Sequence, residues 1–240
     1  MNLKINKLIY YLNNNGFISE ANLMEKIILK FSSKSSKISN STIIYCDMDG
    51  VLVNFEQQAY EDIRDILQKG KEHELIGNNP KLHEAYENVA KAIGHKIDLD
   101  NPSVKKLMFK VISQNPGKWF HQLSPLKGGD EVWRFINNLN YVVKILSAGV
   151  SGKKGALTAE DGKKEWVKDN LTPQPDEVIV AEKSSDKKNW AINADGSSNI
   201  LIDDKHSNIE SWESAGGIGI LHTPGDSAST IKRLQEILDV

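Results

Sequence analysis

Ile43-Ile44-Tyr45-Cys46-Asp47-Met48-Asp49-Gly50-Val51 is an apolar strand that stops on two carboxylates and a glycine. An ionised carboxylate is costly to bury without a partner or a metal, so two of them one residue apart at a strand end are not core filler. Alternate side chains of extended backbone share a side, and Asp47 and Asp49 therefore face the same way. In an α/β sheet, ligands gather outside the carboxyl ends of the strands. There one acid could attack a phosphorus while the other handles a proton, with a divalent cation suppressing their repulsion.

The same design recurs downstream. Ile200-Leu201-Ile202 delivers Asp203 and Asp204, Tyr141 to Leu146 delivers Ser147-Ala148-Gly149, and Val178-Ile179-Val180-Ala181 is followed by a lysine-rich run from Lys183 to Lys188. A further strand is expected at Ile218-Gly219-Ile220-Leu221. Val132, Phe135, Ile136 and Leu139 mark an amphipathic helix, a second surrounds Trp166, and Ile231, Leu234, Ile237 and Leu238 mark a closing one. This alternation predicts an α/β fold: a Rossmann-like parallel sheet with helices on both faces. Residues 149–162, with glycines among lysines and small residues, are expected to form a mobile loop.

Two segments fall outside that alternation. Residues 56–118 carry three helical stripes and no strand pattern: Ala59, Ile63, Ile66 and Leu67; Leu82, Tyr86, Val89 and Ile93; Val104, Leu107, Met108 and Val111. Inserted after the first acid pair, they predict a helical cap between the two parts of the core, 42–55 and 119–240. Residues 1–41 predict a helical hairpin followed by a serine- and lysine-rich linker, whose apolar faces would dock on the core or on a homodimer partner.

Composition narrows the partners. The 240 residues carry a net charge of -2 with both signs mixed, which offers no broad footprint for duplex nucleic acid and favours a small anionic substrate. One cysteine, Cys46, excludes an intramolecular disulfide framework and reads as a small buried hydrophobe. No apolar run is long enough to span a membrane and no signal-peptide block is visible, so a cytoplasmic protein is expected. The six histidines show no metal spacing, and none is assigned to catalysis.

Acid pair, hydroxyl, lysine and second acid pair, in that order and each after a strand, resemble the haloacid dehalogenase superfamily of phosphohydrolases. The resemblance covers about residues 42–225. Within it, Asp47 to Phe55, then Lys164-Glu165-Trp166-Val167, then Leu201 to Lys205 are similar to the 5'(3')-deoxyribonucleotidase group. Asn54 departs from that group, which has an acid there, and Ser147 lacks its usual Ser-Pro type turn.

The resemblance implies a magnesium-dependent phosphomonoesterase, foremost a 5'-nucleotidase acting on nucleoside monophosphates. Asp47 is then the nucleophile and Asp49 the acid and base. Ser147 and Ala148 bind the phosphate, together with a lysine best matched by Lys187, ahead of Lys183 and Lys188. Magnesium would be held by Asp47, the backbone carbonyl of Asp49 and Asp204, with Asp203 orienting the shell. Phe55 would stack on a base, and Trp119, Phe120 and Tyr86 are further candidates. A sugar phosphate or a nucleic-acid end keeps the chemistry and changes the substrate; a receiver-like module would use the acids for metal alone.

Overall fold

The computed structural model describes residues 41–69, 80, 101–151 and 157–240. Outside them lie residues 1–40 of the expected hairpin and linker, the stripe from Leu82 to Ile93 with Tyr86, and part of the expected 149–162 loop. The side chains of Ile66 and Leu67 are not described either.

Five strands form one parallel sheet: β1 (Ile43–Cys46), β2 (Val142–Ala148), β3 (Glu177–Ala181), β4 (Ile200–Asp203) and β5 (Ile218–Leu221), in the order β3-β2-β1-β4-β5. The order turns around at β1, which pairs with β2 on one side and β4 on the other. Strand order reverses at such a point and the chain leaves in opposite directions, opening a crevice at the carboxyl ends. The acids after β1 and β4 and the serine of β2 thus come from adjacent strands.

Strand alternation sorts the side chains into two layers. Ile44, Cys46, Val143, Ile145, Ile200 and Ile202 pack with most of the helices: α1 (Phe55–Lys69), α2 (Pro102–Ile112), α3 (Pro116–His121), α4 (Gly129–Asn137), α5 (Ala159–Asn170) and α7 (Ser227–Leu238). Tyr45, Leu146 and Leu201 face the other way, onto Ile209 and Trp212 of α6 (His206–Ser214) and Ala191, which follows a 3₁₀ helix at Ser184–Trp190. Helices therefore cover both faces, as the alternation in the sequence requires. Continuing each strand by its period of two sends Asp47 and Asp203 toward the 3₁₀ helix and Ser147 toward α5.

The expected loop over 149–162 is corrected at its end. Thr158 caps α5 through the backbone N–H of Asp161, whose carboxylate accepts from the backbone N–H of Thr158, so Gly162 lies inside a helix. That glycine is needed for packing. A Cβ there would sit 2.0 Å from the carbonyl oxygen of Gly117 in α3, and this backbone approach seats the start of α5 beside the sheet. Helix α6 follows no recognisable stripe in the sequence; its buried residues are Asn208, Ile209 and Trp212.

Gly162→Ala tests the contact between α3 and α5. Helix propensity alone would make alanine the better residue by about 1 kcal/mol, whereas overpacking against Gly117 costs about 1–3 kcal/mol. Net destabilisation in urea unfolding is expected; a gain in stability would show that the helices are not held at that distance.

Candidate active site

Asp47 continues the β1 ladder by donating its backbone N–H to the carbonyl of Ile202 at 2.8 Å, which fixes the acid beside the end of β4. The chain then turns at once. Gly50 adopts φ +76°, and a Cβ on it would lie 2.3 Å from Oδ2 of Asp204. Only a residue without a side chain lets the Met48 to Val53 turn pass this close to the second acid pair.

Lys187 occupies the space between the two strand ends. It is buried, and its ammonium lies 2.8 Å from Oδ2 of Asp47 and 2.7 Å from Oδ2 of Asp203. Burial opposes its charge, but Asp47 and Asp203 outweigh that and raise its pKa. Burial likewise pushes against the charge of Asp47, and the ammonium groups of Lys187 and Lys163 turn the balance and hold that carboxyl below its usual value. Asp203 also accepts from the side-chain amide of Asn208 at both oxygens, 2.9 Å each, and from the backbone N–H of Lys205 at 2.9 Å. Its oxygens are committed, so it acts as an anchor for Lys187. Burial, then the charge of Asp47, raises its pKa nonetheless.

A second buried lysine enters from the opposite layer. Lys163 of α5 is fully buried and donates to Oδ2 of Asp49 at 2.6 Å and to Oγ of Ser147 at 2.8 Å, with its ammonium 4.2 Å from the centre of the Phe120 ring. Burial pushes its pKa down, against the pull of Asp49 and Asp47. Sequence reasoning did not single out this residue, although the adjacent Lys164 to Val167 stretch carried part of the family resemblance. The signal available was Gly162: a glycine inside a helix marks a close approach, and its neighbour is carried inward with it.

Asp47, Asp203 and Asp204 each offer an oxygen, all lying within 4.8 Å of one another. Among the described residues, Oδ1 of Asp204 and Oδ1 of Asp49 are buried without a hydrogen-bond partner. Burial, with Asp47 and Asp203 adding to it, pushes Asp204 up to about 7. Crowded carboxylates with free buried oxygens and a raised pKa fit a hard cation that takes oxygen ligands. Asp47, Asp203 and Asp204 could hold such an ion.

The remaining sequence candidates separate. Phe55 and Ala148 line a cavity of about 370 Å³ that opens from Asp49 and Asp204. Phe120 lines it too, and stacks with Phe55 at a centroid distance of 6.3 Å. Trp119 is not among its lining residues: it packs edge-on to Phe55, and its indole N–H donates to Asp62 of α1 at 2.5 Å, a scaffold role. Lys183 is exposed on the cavity wall and Lys188 is exposed away from it. His206 is exposed and pairs with Glu210.

No family model matches the chain, and no curated protein matches it. Solved structures of similar shape are hydrolases of the haloacid dehalogenase type. The HAD-hydrolase YfnB of Bacillus subtilis, bound to magnesium, shares 13% identity over 84% of this chain and 100% of its own, with a TM-score of 0.49. A haloacid dehalogenase-like family hydrolase from Xanthomonas campestris shares 12% over 82% and 91%, with a TM-score of 0.49. A dehalogenase shares 12% over 83% and 98%, with a TM-score of 0.46. At such identities and scores the chemistry has to be read from this chain's own side chains.

The raised pKa of Asp204 gives a signed pH test. Below about 7 this carboxyl is protonated in the metal-free protein and a divalent cation must displace the proton; above it the site is ionised and ready. Magnesium should therefore raise the melting temperature more at pH 8 than at pH 5.5, because ligand binding stabilises by mass action. In Asp204→Asn both the increment and its pH dependence should collapse. An equal increment at both pH values in the wild type would exclude Asp204 from the metal set.

Proposed function

We propose that the chain is a magnesium-dependent phosphomonoesterase with Asp47 as nucleophile, and that its substrates are nucleoside monophosphates. The observation that carries the first part is the pairing of Asp47 with Lys187, which keeps a buried carboxylate ionised and its attacking oxygen oriented. Asp49, on the cavity side, is suited to protonate the leaving oxygen and then to deprotonate water. Lys163 and Ser147 would move from their mutual contact onto the phosphoryl oxygens, where positive charge and a hydroxyl donor are needed. Magnesium, held by Asp47, the Asp49 carbonyl and Asp204, would neutralise charge on the transferring group.

Displacement of a halide from carbon is a poorer reading for these residues. A departing halide needs no proton donor, and an alkyl carbon needs no cation beside it. Asp49 and Asp204, half-buried with one oxygen each shielded from solvent, would then bear a desolvation cost with no chemical task.

Nucleotides are favoured by the cavity wall. Phe55, Met108, Phe109 and Phe120 form an apolar surface with two aromatic rings already stacked, and Phe109 is 42% exposed. A base slotted there gains stacking that a sugar alone cannot. In this reading α1 and α2 belong to a cap over the carboxyl ends of the strands.

A screen of nucleoside monophosphates, sugar phosphates and an aryl phosphate, read as phosphate release with magnesium or excess chelator, tests the proposal. Turnover should require the metal and favour nucleotides. Phe55→Ala should lower the preference for a nucleotide over the aryl phosphate by roughly tenfold, since stacking is worth about 1–3 kcal/mol per base. An unchanged preference would make Phe55 a packing residue and move the substrate toward sugar phosphates; full activity in chelator would remove magnesium.

A further inference from the structure

The cavity is lined by acids and lysines in equal number, but two of its three acids, Asp49 and Asp204, belong to the acid cluster. Its wall includes three lysines from three separate segments: Lys105 of α2, Lys183 after β3, and Lys205 after β4. All three are exposed, and among the described residues Glu56 is the one acid on the wall apart from Asp49 and Asp204 at the floor. Among the described residues, Lys183 and Lys205 make no side-chain ion pair. The reacting phosphate would be met by Lys163, Ser147 and the metal set; Asp47, Ser147 and Lys163 lie buried behind Asp49 and Asp204 and are not lining residues of the cavity. A positive rim beyond an apolar wall is thus left for a second anion on the same molecule.

We infer that the substrate carries a second phosphate-type anion on its leaving group, held by Lys183 and Lys205. This rests on reading the cavity as the leaving-group side of a phosphomonoesterase, and it shifts the preferred substrate from a nucleoside monophosphate to a nucleoside bisphosphate or a 5'-phosphorylated nucleic-acid end, which share that chemistry. Ammonium groups on two neighbouring loops can converge on one anion with charge-assisted contacts. Partial enclosure by Phe55 and Phe109 reduces the screening that an open surface would impose. The floor, by contrast, accepts only the phosphate that is attacked, because its carboxylates repel any further anion.

Calorimetric titration with a nucleoside 5'-monophosphate, the matching 3',5'-bisphosphate and a 5'-phosphorylated dinucleotide, in magnesium, tests the inference. It is run in Asp47→Asn, which binds without turnover, or in Asp49→Asn if circular dichroism shows the first to be poorly folded. The bisphosphate should bind about tenfold more tightly than the monophosphate, equal to 1.4 kcal/mol, and the advantage should shrink as salt is raised. Adding Lys183→Ala and Lys205→Ala should remove it. Whether the dinucleotide shares the advantage tells a free bisphosphate from a nucleic-acid end as the source of the anion. Equal affinity for the monophosphate and both doubly charged ligands, no binding of any, an advantage that survives loss of both lysines, or an equal loss for the monophosphate would each overturn the second-anion site. Failure of the wild type to release phosphate from an aryl phosphate would instead count against the phosphomonoesterase reading, while the calorimetry still decides the subsite.

Discussion

Four carboxylates, Asp47, Asp49, Asp203 and Asp204, meet at one end of the sheet, and their repulsion is offset within the protein by two ammonium groups, Lys187 and Lys163. Burying charge without compensation is among the most expensive things a fold can do. Everything else in the architecture serves to bring those six side chains together. Lys187 bridges Asp47 and Asp203, and Lys163 ties Asp49 to Ser147. The residual negative charge, centred on Asp204, whose Oδ1 is buried without a hydrogen-bond partner among the described residues, is the part that a cation could neutralise.

The fold solves this by using both faces of the sheet. Because β1 lies between β2 and β4, a period of two along each strand directs Asp47 and Asp203 toward the layer that holds the 3₁₀ helix and Ser147 toward the layer that holds α5. One lysine therefore arrives from each side and they do not compete for the same carboxylate. The two close backbone approaches, Gly50 against Asp204 and Gly162 against Gly117, set the depth of the turn and of the helix that complete the cluster.

The sheet and both acid pairs were legible because each strand ends on the residues that matter: apolar runs reveal the strands and the polar residue after each run reveals the rim. Lys187 was legible only through the resemblance, since one lysine among Lys183, Lys187 and Lys188 has no distinguishing pattern. Lys163 was not legible as a site residue. It follows a glycine in a segment that reads as a loop, and its burial arises from contact between α5 and α3, distant in sequence. Helix α6 was missed for a related reason: its inner face carries Asn208 beside Ile209 and Trp212, and the asparagine that breaks the apolar stripe is the one that fixes Asp203.

In the proposed mechanism Asp47 attacks phosphorus and is itself phosphorylated. Acid quenching during turnover, followed by borohydride reduction and tandem mass spectrometry, reads this directly, since hydride converts an aspartyl phosphate to homoserine. Homoserine at position 47, formed only with substrate and magnesium and absent in Asp47→Asn, is the predicted result. Phosphate release with position 47 unmodified throughout, or modification at Asp49 or Ser147 in its place, would contradict the account.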